Sequence, residues 1–246
     1  MRQRQTEPSL GATPNCGQFM AIICRKYKLL FVMTPRTACT AIGELLCDHY
    51  AGEFLPAEDI LDSRGFISVQ KKHSTLAELL AHKLLTARQA KSLLKVAAVR
   101  NPFDSLVSLY FKQRLKYQPL LADPSSWVHR LPGYAEAMRY AATHSFDRWV
   151  LRVSYKKVIK RILGVRLSMF ADHTNGVDAI IRFESMEDDL KKVFNRVGID
   201  WKADIPNVNR TDERTDRDYR SFYSRPAALA VAAAYSYDLK TYGYRF

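Results

Sequence analysis

The chain has 246 residues, 47% of them hydrophobic and 11% aromatic, which excludes a disordered polymer and gives enough length to bury a real core. Its net charge of +13 points to an anionic partner: nucleic acid, a membrane surface, a nucleotide or a sulfated glycan. No apolar run is long enough to cross a bilayer. Residues 1–20 lack the apolar centre of a signal peptide and read as a flexible lead-in to one domain over 21–246, in a cytoplasmic protein. Cys16, Cys24, Cys39 and Cys47 have no zinc-site spacing and read as ordinary thiols in a reducing compartment, with no metal implied.

In chain order, the aromatic and branched run 27–33 predicts a buried strand, and 40–50 a helix. Two short helices are expected over 76–85 and 87–94, the second capped by Thr86, before a second strand over 95–99. Asn101-Pro102 then puts a capping side chain before a proline at the first helical position, opening a helix to about Tyr117. Residues 118–132 read as loop, Ser145 caps a helix ending near Gly164, and 178–183 is a third strand. Ser185 and Asp188 read as a capping box for a helix that Gly198 ends, and 226–242 as one last helix. Strands alternating with helices predict an α/β fold with a mostly parallel sheet.

Positive charge is uneven. Between Lys71 and Lys116 ten Lys or Arg face two acids, and Arg152, Lys156, Lys157, Lys160, Arg161 and Arg166 form a second cluster with no acid inside it. Either cluster could be a solvated helix face.

Two stretches carry chemistry. Strand 27–33 is followed by Thr34, Pro35, Arg36, Thr37, Ala38, Cys39 and Thr40, then a helix. Strand, small-residue loop, helix is how a chain aims backbone amides at an anion. The loop lacks the second glycine and the lysine of a nucleoside-triphosphate loop, so magnesium and ATP fit poorly and Arg36 is left as its fixed cation. The second stretch puts Arg100 at the tip of a strand and Ser108 two turns down the next helix, facing back. Two anion sites at neighbouring strand ends suit a nucleotide phosphorylated at both its 5′ and 3′ positions.

This pair of motifs resembles that of sulfotransferases using 3′-phosphoadenosine 5′-phosphosulfate (PAPS), and is most similar to the carbohydrate-type, family 2-like branch and its bacterial members. Lys72-His73-Ser74-Thr75, the strand around Ile180, Asn207 to Thr211 and the tyrosine-rich end to Phe246 resemble the same branch. The resemblance implies a P-loop-like three-layer fold. It implies that Pro35, Arg36, Thr37, Ala38, Cys39 and Thr40 wrap the 5′-phosphosulfate, and that Arg100 and Ser108 hold the 3′-phosphate. Asn209, Arg210, Thr211 and Arg214 would form a late loop closing over the nucleotide.

His73 is the expected general base, with Glu44 and Glu58 as weaker candidates. Arg36 stands where many relatives have lysine, so it would act by electrostatic stabilisation rather than by giving up a proton. The partners implied are the nucleotide sulfate donor and a glycan or small polar metabolite, sulfated on a hydroxyl. A secondary metabolite sulfated at oxygen or a guanidino nitrogen is the alternative, and Trp127, Tyr134 and Tyr140 are expected near the acceptor. Membrane partners are not expected, nor is nucleic acid, for which no recognition motif is present. A kinase-like phosphotransferase is the other rival, separable by a magnesium requirement.

Overall fold

The computed structural model describes residues 21–69, 73–165, 167–206 and 218–246. β1 (Ala21–Cys24) and β2 (Leu29–Val32) form an antiparallel hairpin. The chain turns through one 3₁₀ turn at Arg25–Tyr27 and through Lys28, whose φ of 52° is left-handed. The predicted strand 27–33 is therefore shorter at its start, because Tyr27 and Lys28 make the turn. α1 (Cys39–Tyr50) returns to β3 (Glu53–Leu55), which pairs with the outer edge of β1. A small hairpin, β4 (Ile60–Leu61) with β5 (Ile67–Val69), stands apart from the main sheet.

α2 (Leu76–Ala81) and α3 (Ala87–Ser92) open on capping boxes, Thr75 with Glu78 and Thr86 with Gln89. β6 (Leu94–Val99) then lies parallel to β2, and α4 (Pro102–Phe111) follows with Asn101 capping Phe103. The helix expected to reach Tyr117 changes at Lys112–Lys116 into a π-helical turn. The stretch read as loop holds a 3₁₀ turn and a short helix, α5 (Trp127–Arg130). Then come α6 (Tyr134–Thr143), α7 (Phe146–Ile162, capped by Ser145 as expected) and α8 (Ala171–Thr174). β7 (Ala179–Arg182) pairs parallel with β6 and leads to α9 (Met186–Arg196).

The capping box expected at Ser185 is not formed: its hydroxyl donates to Asp189 instead, 2.9 Å away. The single last helix is two, α10 (Arg225–Ala234) and α11 (Ser236–Tyr242), broken at buried Tyr235. Beyond the break, the Asp238 carboxylate accepts from the Met169 amide at 2.7 Å and from the Ser168 hydroxyl. A tertiary anchor of this kind outweighs local helix propensity.

The sheet order is β3-β1-β2-β6-β7, with β1 alone running against the rest. Strand side chains alternate between two faces. Ile22, Leu29, Phe31, Val96 and Ala98 pack with α1 and α9, while Ala21, Ile23, Leu30, Val32 and Ala97 pack with α2 and α3. The result is the expected three-layer α/β arrangement with a central, mostly parallel sheet. Gly43 lets α1 sit close on β1, since a Cβ there would come within 2.7 Å of Ile22. A second core joins α4, α6, α7 and α10 through Phe103, Leu106, Tyr110, Trp149, Val150 and Val231. Among the described residues, no helix is long and apolar enough to cross a membrane.

Candidate functional site

β2 and β6 are adjacent and parallel, so their carboxyl ends open at the same edge of the sheet. Such an edge is where open α/β sheets bind ligands. The loop after β2 carries Arg36 and the tip of β6 carries Arg100, and the fold brings them together. Arg36 Nη2 donates to Ser108 Oγ on α4 at 2.7 Å, and Arg100 Nη1 donates to the Arg36 carbonyl at 3.1 Å. Ser108 does look back toward the strand tips, as its helical spacing predicts.

The loop is held tightly. Thr37 Oγ1 donates to the Thr34 carbonyl at 2.8 Å. Arg36 (φ 68°) and Ala38 (φ 57°) are left-handed without being glycine, a conformation costing of order 1–3 kcal/mol each that persists only where the surrounding structure over-determines the backbone. α1 then starts with no side-chain cap, so its first amides are left to the loop and whatever it binds. Arg36 Nε and Thr34 Oγ1 are buried without a hydrogen-bond partner among the described residues. Orphaned buried groups of this kind ask for an acceptor. A multi-oxygen anion at the loop fits both the cation and the amides.

Arg100 is 7% exposed and sits in a built socket. Its Nε donates to Asp104 Oδ2 at 2.7 Å, its Nη2 pairs with the same oxygen at 2.6 Å, and its guanidinium lies 3.9 Å over the Phe183 ring. Neighbouring Asn101 donates from Nδ2 to the Tyr219 hydroxyl and the Arg245 carbonyl, and its own amide donates to Glu184 Oε1 at 2.8 Å. Glu184 also accepts from the Tyr244 hydroxyl, and so braces β6 against the C-terminal end.

His73 lies at the tip of β2. Its Nδ1 is 2.9 Å from the Met33 carbonyl, which can only accept, so Nδ1 carries the proton and the neutral ring's lone pair is on Nε2. His173, with no motif around it, reaches the same place from α8: its Nε2 donates to the His73 carbonyl at 3.1 Å, and the two rings meet edge-on. Burial holds the His173 pKa below the usual imidazole range.

A folded-state pKa lowered in this way gives stability that is complete above the unfolded value near 6.5 and is lost as pH falls through the folded one. The melting temperature should therefore drop between about pH 7 and pH 5. His173→Gln, neutral across that range and still a donor, should flatten the drop. Parallel melting curves for the two proteins would contradict this.

Tyr117 is another residue the motifs did not reveal. An unbroken helix would put it about 180° from Ser108; past the π-helical turn its phenol instead comes beside the Arg36 guanidinium, with burial raising its pKa. Trp127 packs between Tyr117 and Tyr134, at 5.5 and 5.0 Å between ring centres, and burial pushes the Tyr134 phenol up to about 12. Both phenols stay neutral near Arg36. Tyr140, grouped with Trp127 and Tyr134 from the sequence, stacks on His144 at 3.8 Å instead. The basic run near Lys116 is not one open patch: Lys112 is buried and Arg114 donates to the Ala141 and His144 carbonyls.

The structure thus gathers Pro35, Arg36, Thr37, Ala38, Cys39, Thr40, Arg100, Ser108 and His73 at one sheet edge. Asn209, Arg210, Thr211 and Arg214 lie outside the described residues. Cys39 is buried in the loop's helix start, and burial raises the Cys24 thiol pKa to about 12, leaving that thiol inert. A family model described as "Sulfotransferase family" matches residues 20–245. No curated protein and no solved structure matches the chain.

Proposed function

The chain belongs to the sulfotransferase family, whose usual sulfate donor is PAPS, and on that premise we propose that it moves the sulfuryl group of PAPS to a hydroxyl of a glycan or small polar metabolite. The observation that carries this reading is the 2.7 Å bond from Arg36 to Ser108. It joins the two anion-binding elements into one surface at neighbouring strand tips, as a nucleotide with phosphates on both sides of its ribose requires.

PAPS would supply the activated sulfuryl group and a phosphate leaving group. Arg36 and the amides at the start of α1 would oppose the charge that grows on the transferring oxygens and on the bridging oxygen. Pro35, Thr37, Ala38, Cys39 and Thr40 would line the 5′ side, and Arg100 with Ser108 the 3′-phosphate. Arg100 also holds the Arg36 backbone by its carbonyl, which would tie the loop after β2 to the tip of β6. Asn209, Arg210, Thr211 and Arg214 would complete the nucleotide site.

His73 Nε2 would take the acceptor's proton as the oxygen–sulfur bond forms and the sulfur–phosphate-oxygen bond breaks. The Nδ1–H bond to Met33 supports this role by fixing the tautomer. Trp127, Tyr117 and Tyr134 form the aromatic wall beside Arg36 and support an acceptor with an apolar ring face. The alternative, a guanidino nitrogen acceptor, would use the same base.

Two measurements test the proposal. Labelled PAPS offered with a panel of glycans and polar metabolites should give a sulfated product by mass, with activity that persists in chelator. His73→Ala should cut turnover by about 10²–10⁴ while adenosine 3′,5′-bisphosphate affinity stays within about twofold. Full turnover in that variant would remove His73 from the mechanism, and a product bearing phosphate would overturn the reaction type.

A further inference from the structure

α7 has two apolar faces, and the fold covers one. Phe146, Trp149 and Val150 are buried against α4 and α10. Leu151, Tyr155, Ile159 and Ile162 follow at intervals of four, four and three residues, which sets them on one outward stripe about 16 Å long. Tyr155 is 67% and Ile162 79% exposed; beyond the helix end Leu163 is 75% exposed, and Leu229 of neighbouring α10 is 63% exposed. A helix apolar on both sides is normally covered on both. Between α7 and α10 runs a groove of about 480 Å³ lined by Leu151, Tyr155 and Val158 on one wall and by Ala230 and Ala233 on the other.

The charges around this stripe say what covers it. Arg148, Arg152, Lys156, Lys160 and Arg161 of α7 are exposed, and the helix holds one acid, Asp147, in its first turn. Arg152 is answered by Glu136 of α6 at 3.1 Å. Arg148, Lys156 and Lys160 follow one edge of the stripe. A second copy of the chain is a poor occupant: a two-fold interface would bring the Lys156 and Lys160 of both copies together, and among the described residues the acid on this face, Glu136, is already paired with Arg152. A surface that is apolar inside and anionic outside meets both demands at once, because lysine and arginine stems can lie along the apolar phase while their heads reach anionic groups.

We propose that the α7–α10 face docks on an anionic lipid surface. α7 lies in the interfacial plane, Ile162 and Leu163 enter the acyl boundary, and Lys156 and Lys160 meet lipid phosphates. This is peripheral attachment, distinct from spanning; it takes up the membrane surface that the net charge allows, against the expectation of no membrane partner. The sulfotransferase reading is independent of it.

The test is sedimentation of the full chain with phosphatidylcholine vesicles, with and without about one-third phosphatidylserine. The wild type should pellet with the anionic vesicles, and raising salt from about 0.1 M to about 0.5 M should release it. Ile162→Glu with Leu163→Glu, and separately Lys156→Glu with Lys160→Glu, should each lower partitioning at least tenfold or so, while adenosine 3′,5′-bisphosphate binding, read in the same samples, stays at wild-type strength and reports that the fold is intact. Equal pelleting with both vesicle types, or no pelleting with either, overturns the proposal. So does a wild-type dimer in light scattering that the Ile162 and Leu163 variant converts to monomer, since the face would then be an interface between copies.

Discussion

Replacing Arg36 with alanine is expected to lower turnover by about 10²–10³, the usual cost of losing one preorganised group aimed at developing charge. The donor should also bind more weakly, because the loop would lose its fixed cation and Ser108 its 2.7 Å partner. The fold should survive, since Arg36 is half-buried at the sheet edge and the loop keeps the Thr37–Thr34 bond. Arg36→Lys separates charge from geometry. Lysine keeps a cation but not the planar guanidinium whose Nη2 reaches Ser108. It should therefore recover most of the donor affinity and part of the turnover. Steady-state kinetics with PAPS, set beside bisphosphate titration, reads both quantities. Wild-type kinetics in Arg36→Ala would place the transferring group elsewhere.

Arg100→Ala should be costly to stability as well as to binding. Its guanidinium and the Asp104 carboxylate are paired in a nearly closed socket, at 8% and 10% side-chain exposure. Removing one member of a buried pair strands the other charge, at about 3–5 kcal/mol. For a chain of this size that lowers the melting temperature by roughly 6–20 °C. Arg100→Met with Asp104→Leu removes both charges and should regain much of the loss, because a buried pair replaced by apolar groups is often near neutral. The double variant then isolates function: restored melting with absent bisphosphate binding would assign Arg100 to the nucleotide, while restored binding would leave it as the strut behind Arg36. An unchanged melting temperature in Arg100→Ala would contradict the ion-pair account.

The two motifs were legible in the sequence because each is local. Apolar strand, small-residue loop and helix start are consecutive, and the caps at Thr86, Asn101 and Ser145 announce themselves by residue type. β1 was not legible: Ala21–Cys24 is four buried residues with no alternation, and its role depends on pairing with β2 and β3. The break at Tyr235 escaped for a related reason, since the Asp238 anchor to Met169 crosses 69 positions of sequence. Tyr117 depends on a π-helical turn that propensity does not signal. His173 comes to His73 across 100 positions, by the packing of α8 near β6 rather than by any pattern in the chain. The base and cation candidates could thus be named from their motifs, while the groups that orient them needed the fold.

The central claim is that the joined tips of β2 and β6 form one site for a nucleotide with 5′ and 3′ phosphates. Calorimetric titration of the wild-type protein with adenosine 3′,5′-bisphosphate tests it most directly. Saturable one-to-one binding in the micromolar range or tighter is expected, about −8 kcal/mol, weakened at least tenfold or so in Arg36→Ala. No heat of binding up to about 1 mM nucleotide, or equal affinity for adenosine carrying no phosphate, would contradict it.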